Sequence, residues 1–285
     1  MVYVFVVLIS ALFLGAYEVL KKVSLKQSRV EEVLFFYCLS GFLISLFFIN
    51  DAVNIDLINI IFILLKSGII VVNWLLVAKC MAKLDVGIVV TFSLLNTILV
   101  VFASNIFFKE VITWIHLLSL FFISLGIYLV TKLENKEKEK KIEYKYIVYL
   151  ILASVLGTCS ALLDKYLLNI KEIKYSSILV WFMLFNTIIY GCIYFVKNKK
   201  IEIKKLKTNY WMILTGVFIV LADVSYYYSI AMDGAQLSII SILRKFSVIV
   251  ATILSSIFLK EKKLLQKLMI LLIMLLGVAL PIFNK

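Results

Sequence analysis

The sequence predicts an all-α integral membrane protein whose ten transmembrane helices form two inverted five-helix repeats. Three observations carry this prediction: an apolar composition, ten apolar segments of spanning length, and a duplicated motif. Of the 285 residues, 64% are hydrophobic and only 16% are charged, and the mean hydropathy is +1.07. A soluble domain needs polar faces around its core, so an apolar excess of this size has to face lipid.

The ten apolar segments each contain about 18–25 residues, the length that an α-helix needs to cross a hydrocarbon core of about 30 Å. Helices are expected because lipid offers no partner for unpaired backbone groups. The first segment lacks the basic beginning and the small-residue cleavage site of a signal peptide. In chain order the segments are 2–21, 32–49, 57–79, 86–107, 112–131, 145–166, 174–196, 209–231, 236–258 and 264–282.

A near-repeated motif divides these segments into two halves. Ser104-Asn-Ile-Phe-Phe-Lys-Glu110 recurs 151 residues later as Ser255-Ser-Ile-Phe-Leu-Lys-Glu261. Sixteen residues after its glutamate, each copy is followed by a glycine within an apolar run. Matches of Phe, Lys, Glu and Gly are informative in so apolar a chain, and they indicate an internal duplication.

The glycines support the same division. The ten glycines fall essentially one to a segment, in five ordered pairs separated by 142 to 151 residues. A single glycine in a membrane helix is commonly a close-packing point, but five matched pairs point to a repeat. We predict an N-terminal repeat at 1–131, a charged linker at 132–144 and a C-terminal repeat at 145–285.

The basic residues predict the orientation. Loops after the first, third, fifth, seventh and ninth segments contain most of the 30 lysines and arginines. The positive-inside rule then places these loops in the cytoplasm and both termini outside a plasma (inner) membrane. Five helices per half make the halves run in opposite directions, as in alternating-access carriers. The net charge of +13 lies on loops beside anionic lipid and requires no nucleic-acid partner.

Each half closes on one pattern: Phe107-Phe-Lys-Glu110 followed by Gly126, and Phe258-Leu-Lys-Glu261 followed by Gly277. The pattern resembles the EamA-like branch of the drug/metabolite transporter superfamily, and the resemblance covers the whole chain. It implies ten helices in two repeats and transport of a small metabolite, with efflux slightly favoured over uptake. The chain departs from that branch in its fourth and ninth segments, where relatives often contain proline. Bends there are expected to rely on glycine or on rocking of straight helices.

Ionisable groups inside the segments are the leading site candidates, because each costs roughly 2.5–3.5 kcal/mol at mid-membrane and usually faces a cavity or a partner. Arg244 and Lys245 lie within the ninth segment and point about 100° apart on a helix. At least one of them is expected to face a central cavity. The alternative is a structural ion pair for Arg244, with Lys245 reaching the interface. Asp223 in the eighth segment is the expected partner of Arg244 and a candidate proton carrier.

Further candidates are polar or aromatic residues deep in other segments. Glu18 could face the cavity, although an ion pair with Lys22, four residues on, is the favoured alternative. Asp164, at the end of the sixth segment, is interpreted as structural. The predicted substrate-binding and pathway residues are Arg244, Asp223, Asn73, Trp74, Asn96, Tyr227, Lys66, Asn186, Lys245 and Glu18.

No motif for covalent chemistry accompanies these residues. The single histidine and the four separate cysteines indicate neither a metal site nor a disulfide framework, and there is no phosphate-binding loop. We therefore predict no enzyme activity, no cofactor and no metal. The sequence favours a secondary active transporter, monomeric or homodimeric, that moves a zwitterionic or anionic metabolite (an amino acid or organic acid) by alternating access, with a proton as candidate coupling ion. The alternatives are flipping of a lipid-linked substrate, a membrane enzyme acting on a lipid carrier, and a noncatalytic accessory subunit.

Overall fold

The computed structural model describes residues 2–53, 55–84, 86–135, 143–198, 209–258 and 264–280. All regular secondary structure in these ranges is helical. The first half contains α1 (Val2–Gln27), α2 (Val30–Ser45), α3 (Ile49–Ala52), α4 (Leu57–Lys83), α5 (Val86–Phe108) and α6 (Trp114–Asn135). The second half contains α7 (Tyr144–Lys165), α8 (Tyr175–Asn198), α9 (Trp211–Ala231), α10 (Leu237–Leu243), α11 (Phe246–Phe258) and α12 (Leu264–Ala279).

Seven helical spans within the described ranges are long and apolar enough to cross a membrane, judged by length and composition. Two shorter apolar stretches, Phe92–Phe108 and Trp114–Gly126, add to them. A helix also covers most of the tenth predicted segment. The all-helical class is thus observed, whereas ten crossings and an inverted repeat stay predictions. Within the predicted linker, residues 136–142 lie outside the described part of the chain, as do Glu261 and Pro281.

The ninth predicted segment differs from expectation, because it is not one continuous helix. α10 ends at Leu243, and α11 begins at Phe246. Across the junction, the backbone N–H groups of Lys245, Ser247 and Val248 donate to carbonyl oxygens three residues earlier rather than four. The chain therefore tightens to a 3₁₀-type turn in mid-segment, a feature that often marks a functional hinge. No glycine or proline is needed for it, contrary to the expectation from sequence.

The two halves pack by exchanging equivalent helices. α1 packs against α9 and α11, and α7, its counterpart in the second half, packs against α4 and α5. α2 packs against α8, and α6 packs against α12. These contacts between the halves thus have counterparts in which the halves change roles.

Paired glycines lie at these contacts. Gly126 on α6 packs against the side chain of Met274 on α12. Its counterpart Gly277 packs against Ile123, which lies 151 residues before Met274; a Cβ added to Gly277 would come within 2.9 Å of the Ile123 side chain. Both glycines allow a close approach of α6 and α12 that a larger residue would prevent.

We expect Gly216→Ala to destabilise the protein by about 1–3 kcal/mol, because overpacking forces neighbouring groups to move. A Cβ at Gly216 on α9 would overlap Ser40 of α2 and approach the backbone of Gly41 to 3.0 Å. Gly68→Ala is the matched control, since Gly68 is the glycine paired with Gly216 in the sequence and no atom of a described residue lies within 4 Å of an added Cβ there. Thermal unfolding in detergent should show a loss for Gly216→Ala and none for Gly68→Ala. Equal effects would contradict close packing at Gly216.

Candidate functional site

A cavity of about 290 Å³ lies between the two halves. Its walls come from α1, α4 and α5 on one side and from α7 to α11 on the other. At one end it is lined by Met81, Val89 and Leu150, which lie near the ends of α4, α5 and α7 where the predicted basic loops begin; we call this the basic-loop end. At the opposite end it reaches Leu237, the first residue of α10.

The charged residues of the described cavity wall comprise four cations and three carboxylates. Most of the remaining wall is apolar or aromatic, with scattered serines, threonines and amides. Buried charges are costly unless they are paired, so the partner of each one decides what the cavity can bind. The seven charged residues are Glu18, Lys21, Lys66, Asp164, Asp223, Arg244 and Lys245.

The predicted pair of Asp223 and Arg244 is present in the cavity wall. An Nη atom of Arg244 donates to Oδ1 of Asp223 at 3.3 Å. The guanidinium also lies over the ring of Tyr226, 3.9 Å from its centroid. In the described structure Nε of Arg244 is buried without a hydrogen-bond partner. The pair is therefore in contact but incompletely satisfied, in the same turn where the ninth segment changes its hydrogen bonding.

Lys245 has a different environment from its neighbour. Its Nζ donates to the carbonyl oxygen of Ser93 at 2.7 Å and to the Ser93 hydroxyl at 3.0 Å, both on α5. No described carboxylate forms an ion pair with it. Ser93 is the repeat counterpart of Arg244, 151 residues earlier, so the charged turn of one half contacts the equivalent position of the other.

Lys66 is held by a buried ion pair that crosses the halves. Its Nζ lies 2.6 Å from Oδ1 of Asp164 on α7, and it donates to the Tyr227 hydroxyl at 2.5 Å. It also lies over the Phe182 ring, 3.9 Å from the centroid. The side chains of Lys66 and Asp164 are only 1% and 5% exposed. Asp164 is therefore part of the cavity wall, a position that the sequence analysis did not assign to it.

Glu18 also lines the cavity, and its local pairing differs from the one predicted. Its carboxylate lies 2.8 Å from Nζ of Lys21, three residues on, rather than contacting Lys22. Lys22 instead donates to the carbonyl oxygens of Met81 and Leu84 beyond α1, the latter at 3.2 Å. Residues three and four positions after Glu18 both lie on its helix face. Lys21 pairs with Glu18 because Lys22 is held by the carbonyl oxygens at the end of α4.

The predicted amide and aromatic residues divide into two groups. Asn73, Trp74 and Asn96 line the cavity, and Asn73 donates to the Ala153 carbonyl oxygen of α7 at 2.5 Å. Asn186 on α8 is fully buried and is not part of the cavity wall; neither atom of its amide has a hydrogen-bond partner among the described residues. The structure thus separates Asn186 from the other predicted residues.

Glu110 lies beside the end of the cavity opposite the basic loops, where it contacts Leu237 of the cavity wall. It follows Lys109, which adopts a left-handed conformation (φ 55°) that side chains rarely take. The Glu110 carboxylate accepts the backbone N–H groups of Leu237 at 2.7 Å and of Ser238 at 2.9 Å, and it pairs with Lys165. We call this arrangement the Glu110 clasp. It supplies an acceptor to the first N–H groups of α10, which have no partner within their own helix.

Comparison with known proteins decides the family. The sequence profile described as the EamA-like transporter family matches residues 1–132 and, separately, residues 144–283. The chain belongs to the EamA-like transporter family. This is a family of membrane transporters, so the apolar helices make the chain a multi-pass membrane protein and the resemblance found in the sequence is confirmed.

Solved structures share the fold of this EamA-like protein, and 28 chains match it. One of these, described as a crystal structure of a protein, superposes with a TM-score of 0.73 over 96% of this chain and 94% of its own length. Their sequences are 10% identical, so the likeness concerns the fold alone. No curated protein matched the sequence.

Nine of the ten predicted pathway residues of this EamA-like chain line one cavity. They are Arg244, Asp223, Asn73, Trp74, Asn96, Tyr227, Lys66, Lys245 and Glu18. The sequence prediction missed Asp164 as a wall residue and Glu110 as the closing residue. The duplicated motif had singled out Glu110, and an interpretation of that glutamate as a contact between the halves would have found it.

We expect Glu110→Gln to lower the stability of this EamA-like protein by about 1.5–3 kcal/mol, the range for hydrogen bonds to a charged group. Burial by itself raises the pKa of Glu110, but hydrogen bonds from Lys165 and Ser238 outweigh it and leave that pKa lowered. A carboxyl with a lowered pKa stabilises the fold above its unfolded pKa of about 4.3, and this contribution disappears as the pH falls through the folded pKa. Melting temperatures measured from pH 7 to pH 3 should therefore converge for the two proteins at acid pH.

Glu143→Gln serves as the control for this experiment. Glu143 also pairs with a lysine, Lys145, but the two side chains are 63% and 53% exposed. Exposed pairs contribute about 0–1 kcal/mol to the free energy of unfolding. The melting temperature of this variant should therefore stay close to that of the wild type at all pH values. A Glu110→Gln protein that behaved like Glu143→Gln would show that the clasp contributes nothing measurable.

Proposed function

We propose that this chain is a secondary active transporter that moves a small zwitterionic or anionic metabolite by alternating access. The observation that carries the proposal is the charged cavity between the two halves. Membership of a transporter family supports movement of a solute, and a cavity of about 290 Å³ suits a small one. Arg244 and Lys245 supply cationic groups for an anionic solute, and Trp74 and Tyr227 supply aromatic surface.

The proposed architecture is ten transmembrane helices in two inverted five-helix repeats. The exchanged packing of equivalent helices supports it. So does a pair of lysine contacts: Lys22 donates to the carbonyl oxygen of Leu84, and Lys165 donates to that of Ala235, 151 residues later. We place the basic loops in the cytoplasm and both termini outside the plasma membrane, following the positive-inside rule. The cavity lies within one chain, so the proposal requires no second subunit.

Alternating access needs a barrier at each end of the cavity, and one barrier must close while the other opens. In this proposal the Glu110 clasp is the barrier of one end, because it ties the α5–α6 connection and α7 to the start of α10. The 3₁₀-type turn at Arg244 and Lys245 is the place where α10 moves relative to α11. Substrate at this turn then acts directly on the moving element.

Proton coupling is assigned to Asp223. If the anionic group of a substrate displaces Asp223 from Arg244, the carboxylate becomes a buried charge without a partner and takes up a proton. Transport would be measured at several imposed pH gradients with Asp223→Asn and wild type. Loss of the gradient dependence is expected for the variant, and unchanged coupling would remove Asp223 from the mechanism.

The proposed function is tested by solute counterflow in proteoliposomes that contain only the purified protein. A first screen of organic acids, amino acids, quaternary amines, nucleosides and vitamins would use ligand-induced thermal stabilisation, because a ligand that binds only the folded state raises its stability. Saturable counterflow of a hit supports the proposal. Stabilisation without counterflow would contradict transport of that solute, and a screen without hits would favour a lipid-linked substrate or a missing partner subunit.

A further inference from the structure

The pairing of charges in the cavity separates the cations into two kinds. Three of the four described cations have a carboxylate partner: Lys21 with Glu18, Lys66 with Asp164, and Arg244 with Asp223. The fourth, Lys245, donates to the two oxygens of Ser93 and forms no ion pair with a described carboxylate. The described wall therefore has one positive charge more than it has carboxylates.

Lys245 is placed to hold an anionic group. The Lys245 ammonium has three N–H donors. Two of them are used by the carbonyl and hydroxyl oxygens of Ser93, so the third is left for a ligand. Its neighbours in the wall include Ser247 and Asn96 on the two helices that meet there. The Asn96 amide lies against Gly157 of α7, and the backbone carbonyl oxygen of Ser247 lies against Gly15 of α1.

An ammonium group on the ligand would have no such place. All three described carboxylates of the wall already contact a cation at 2.6–3.3 Å. A zwitterion would have to break one of these pairs or bury its ammonium unpaired, and both are costly. Most of the rest of the wall is apolar or aromatic, with Trp74, Phe92 and Val100 among its residues, and its scattered hydroxyl and amide groups carry no negative charge to pair with an ammonium.

We propose that the cavity selects a small organic anion of single charge with an apolar remainder, held through its anionic group by Lys245, over the zwitterion of the same shape. This inference rests on the proposed function and narrows its substrate class from zwitterionic or anionic solutes to monoanions. Initial binding at Lys245 neutralises the excess charge of the cavity while all three ion pairs are intact; the displacement of Asp223 from Arg244 proposed for proton coupling is a later step of the transport cycle.

A series of ligands that share one phenyl remainder tests the proposal. The series is 3-phenylpropanoate, phenylalanine, 2-phenylethylamine and benzylsuccinate, which carry respectively one negative charge, both signs, one positive charge and two negative charges. Affinities would be measured calorimetrically on the detergent-purified full chain at pH 7. The same comparison with 4-methylpentanoate, leucine and 3-methylbutylamine covers an aliphatic remainder.

We expect the monocarboxylates to bind at least tenfold more tightly than the matched amino acids, and the amines not to bind. Lys245→Met should weaken monocarboxylate binding at least tenfold and abolish the preference, whereas Lys245→Arg, which retains the charge, should keep it. Melting temperatures without ligand show whether each variant is folded. If Lys245→Met does not fold, the wild-type series decides alone.

The outcomes distinguish this inference from the proposed function. Equal or tighter binding of the amino acids overturns the monoanion inference, and their counterflow would leave the transporter proposal standing. Monocarboxylate binding that survives in a folded Lys245→Met protein overturns the role of Lys245. If no ligand in either series binds and the broader screen also yields no transported solute, both proposals fail.

Discussion

Transport is expected to fall about a hundredfold when Arg244 is replaced by alanine, because truncating one partner of a buried charge pair costs about 2–5 kcal/mol. The change removes the contact with Asp223 and the stacking over Tyr226, and it leaves the Asp223 carboxylate buried without a cation. Counterflow in proteoliposomes of equal protein content measures the effect. Arg244→Lys should retain part of the rate, because it restores the charge but not the planar group.

The chain offers one matched control for Arg244, because it contains one other arginine. Arg29 is exposed at the beginning of α2 and is not part of the cavity wall. Arg29→Ala should transport at the wild-type rate. If Arg244→Ala also transported at that rate while its melting temperature fell, Arg244 would be a structural residue and the proposed mechanism at the ninth segment would be wrong.

The largest loss of stability is expected for Asp164→Asn, at about 3–5 kcal/mol, the range for removing one partner of a buried ion pair. Lys66 would remain 1% exposed without a carboxylate in contact, its charge facing neutral groups: an amide, the Tyr227 hydroxyl and two aromatic rings. The double variant Lys66→Met/Asp164→Leu removes both charges, and we expect it to recover most of the loss. Thermal unfolding in detergent, with all three proteins purified in parallel, measures the difference.

Lys174→Met is the exposed counterpart of that experiment. Lys174 pairs with Asp51 at 2.8 Å, but its side chain is 72% exposed. Its loss should change the stability by no more than about 1 kcal/mol, as for other exposed pairs. An Asp164→Asn protein as stable as Lys174→Met would show that the Lys66–Asp164 pair is screened by water and is not buried in the folded protein.

The sequence predicted Arg244 and Asp223 as partners because charged groups deep in the membrane usually pair, and these two opposite charges lie in consecutive helices. It could not predict the pair of Lys66 and Asp164 in the same way. These residues lie in different halves, and Lys66 had other acids available at comparable depth, so only the packing of α4 on α7 selects Asp164.

Two further features were beyond side-chain patterns. The duplicated motif marked Glu110, but its partners are backbone N–H groups of α10, and no sequence pattern marks a backbone donor as lacking a partner. The turn at Arg244 and Lys245 contains no glycine or proline, so composition gave no sign of a break in the ninth segment. By contrast, most of the described glycines lie at close contacts, as expected because a missing side chain has a direct steric meaning at a helix contact, whereas Gly68 and Gly234 have no described neighbour within 4 Å of an added Cβ.

Alternating access is tested most directly by labelling single cysteines at the two ends of the cavity. Val89→Cys reports on the basic-loop end and Leu237→Cys on the clasp end. Each would be made in a background without the four native cysteines, two of which are exposed. A membrane-impermeant maleimide, applied to each face of reconstituted vesicles, would be used with the clasp intact and with Glu110→Gln.

With the clasp intact, we predict that Val89→Cys reacts faster than Leu237→Cys. Glu110→Gln weakens only the state in which the clasp end is closed, so it should shift the population toward the other state. The labelling rate of Leu237→Cys should then rise while that of Val89→Cys falls. Each cysteine should be labelled by maleimide applied to one face of the vesicles, and the two faces should be opposite. A rise at both ends, or no change at either, would contradict alternating access through this cavity.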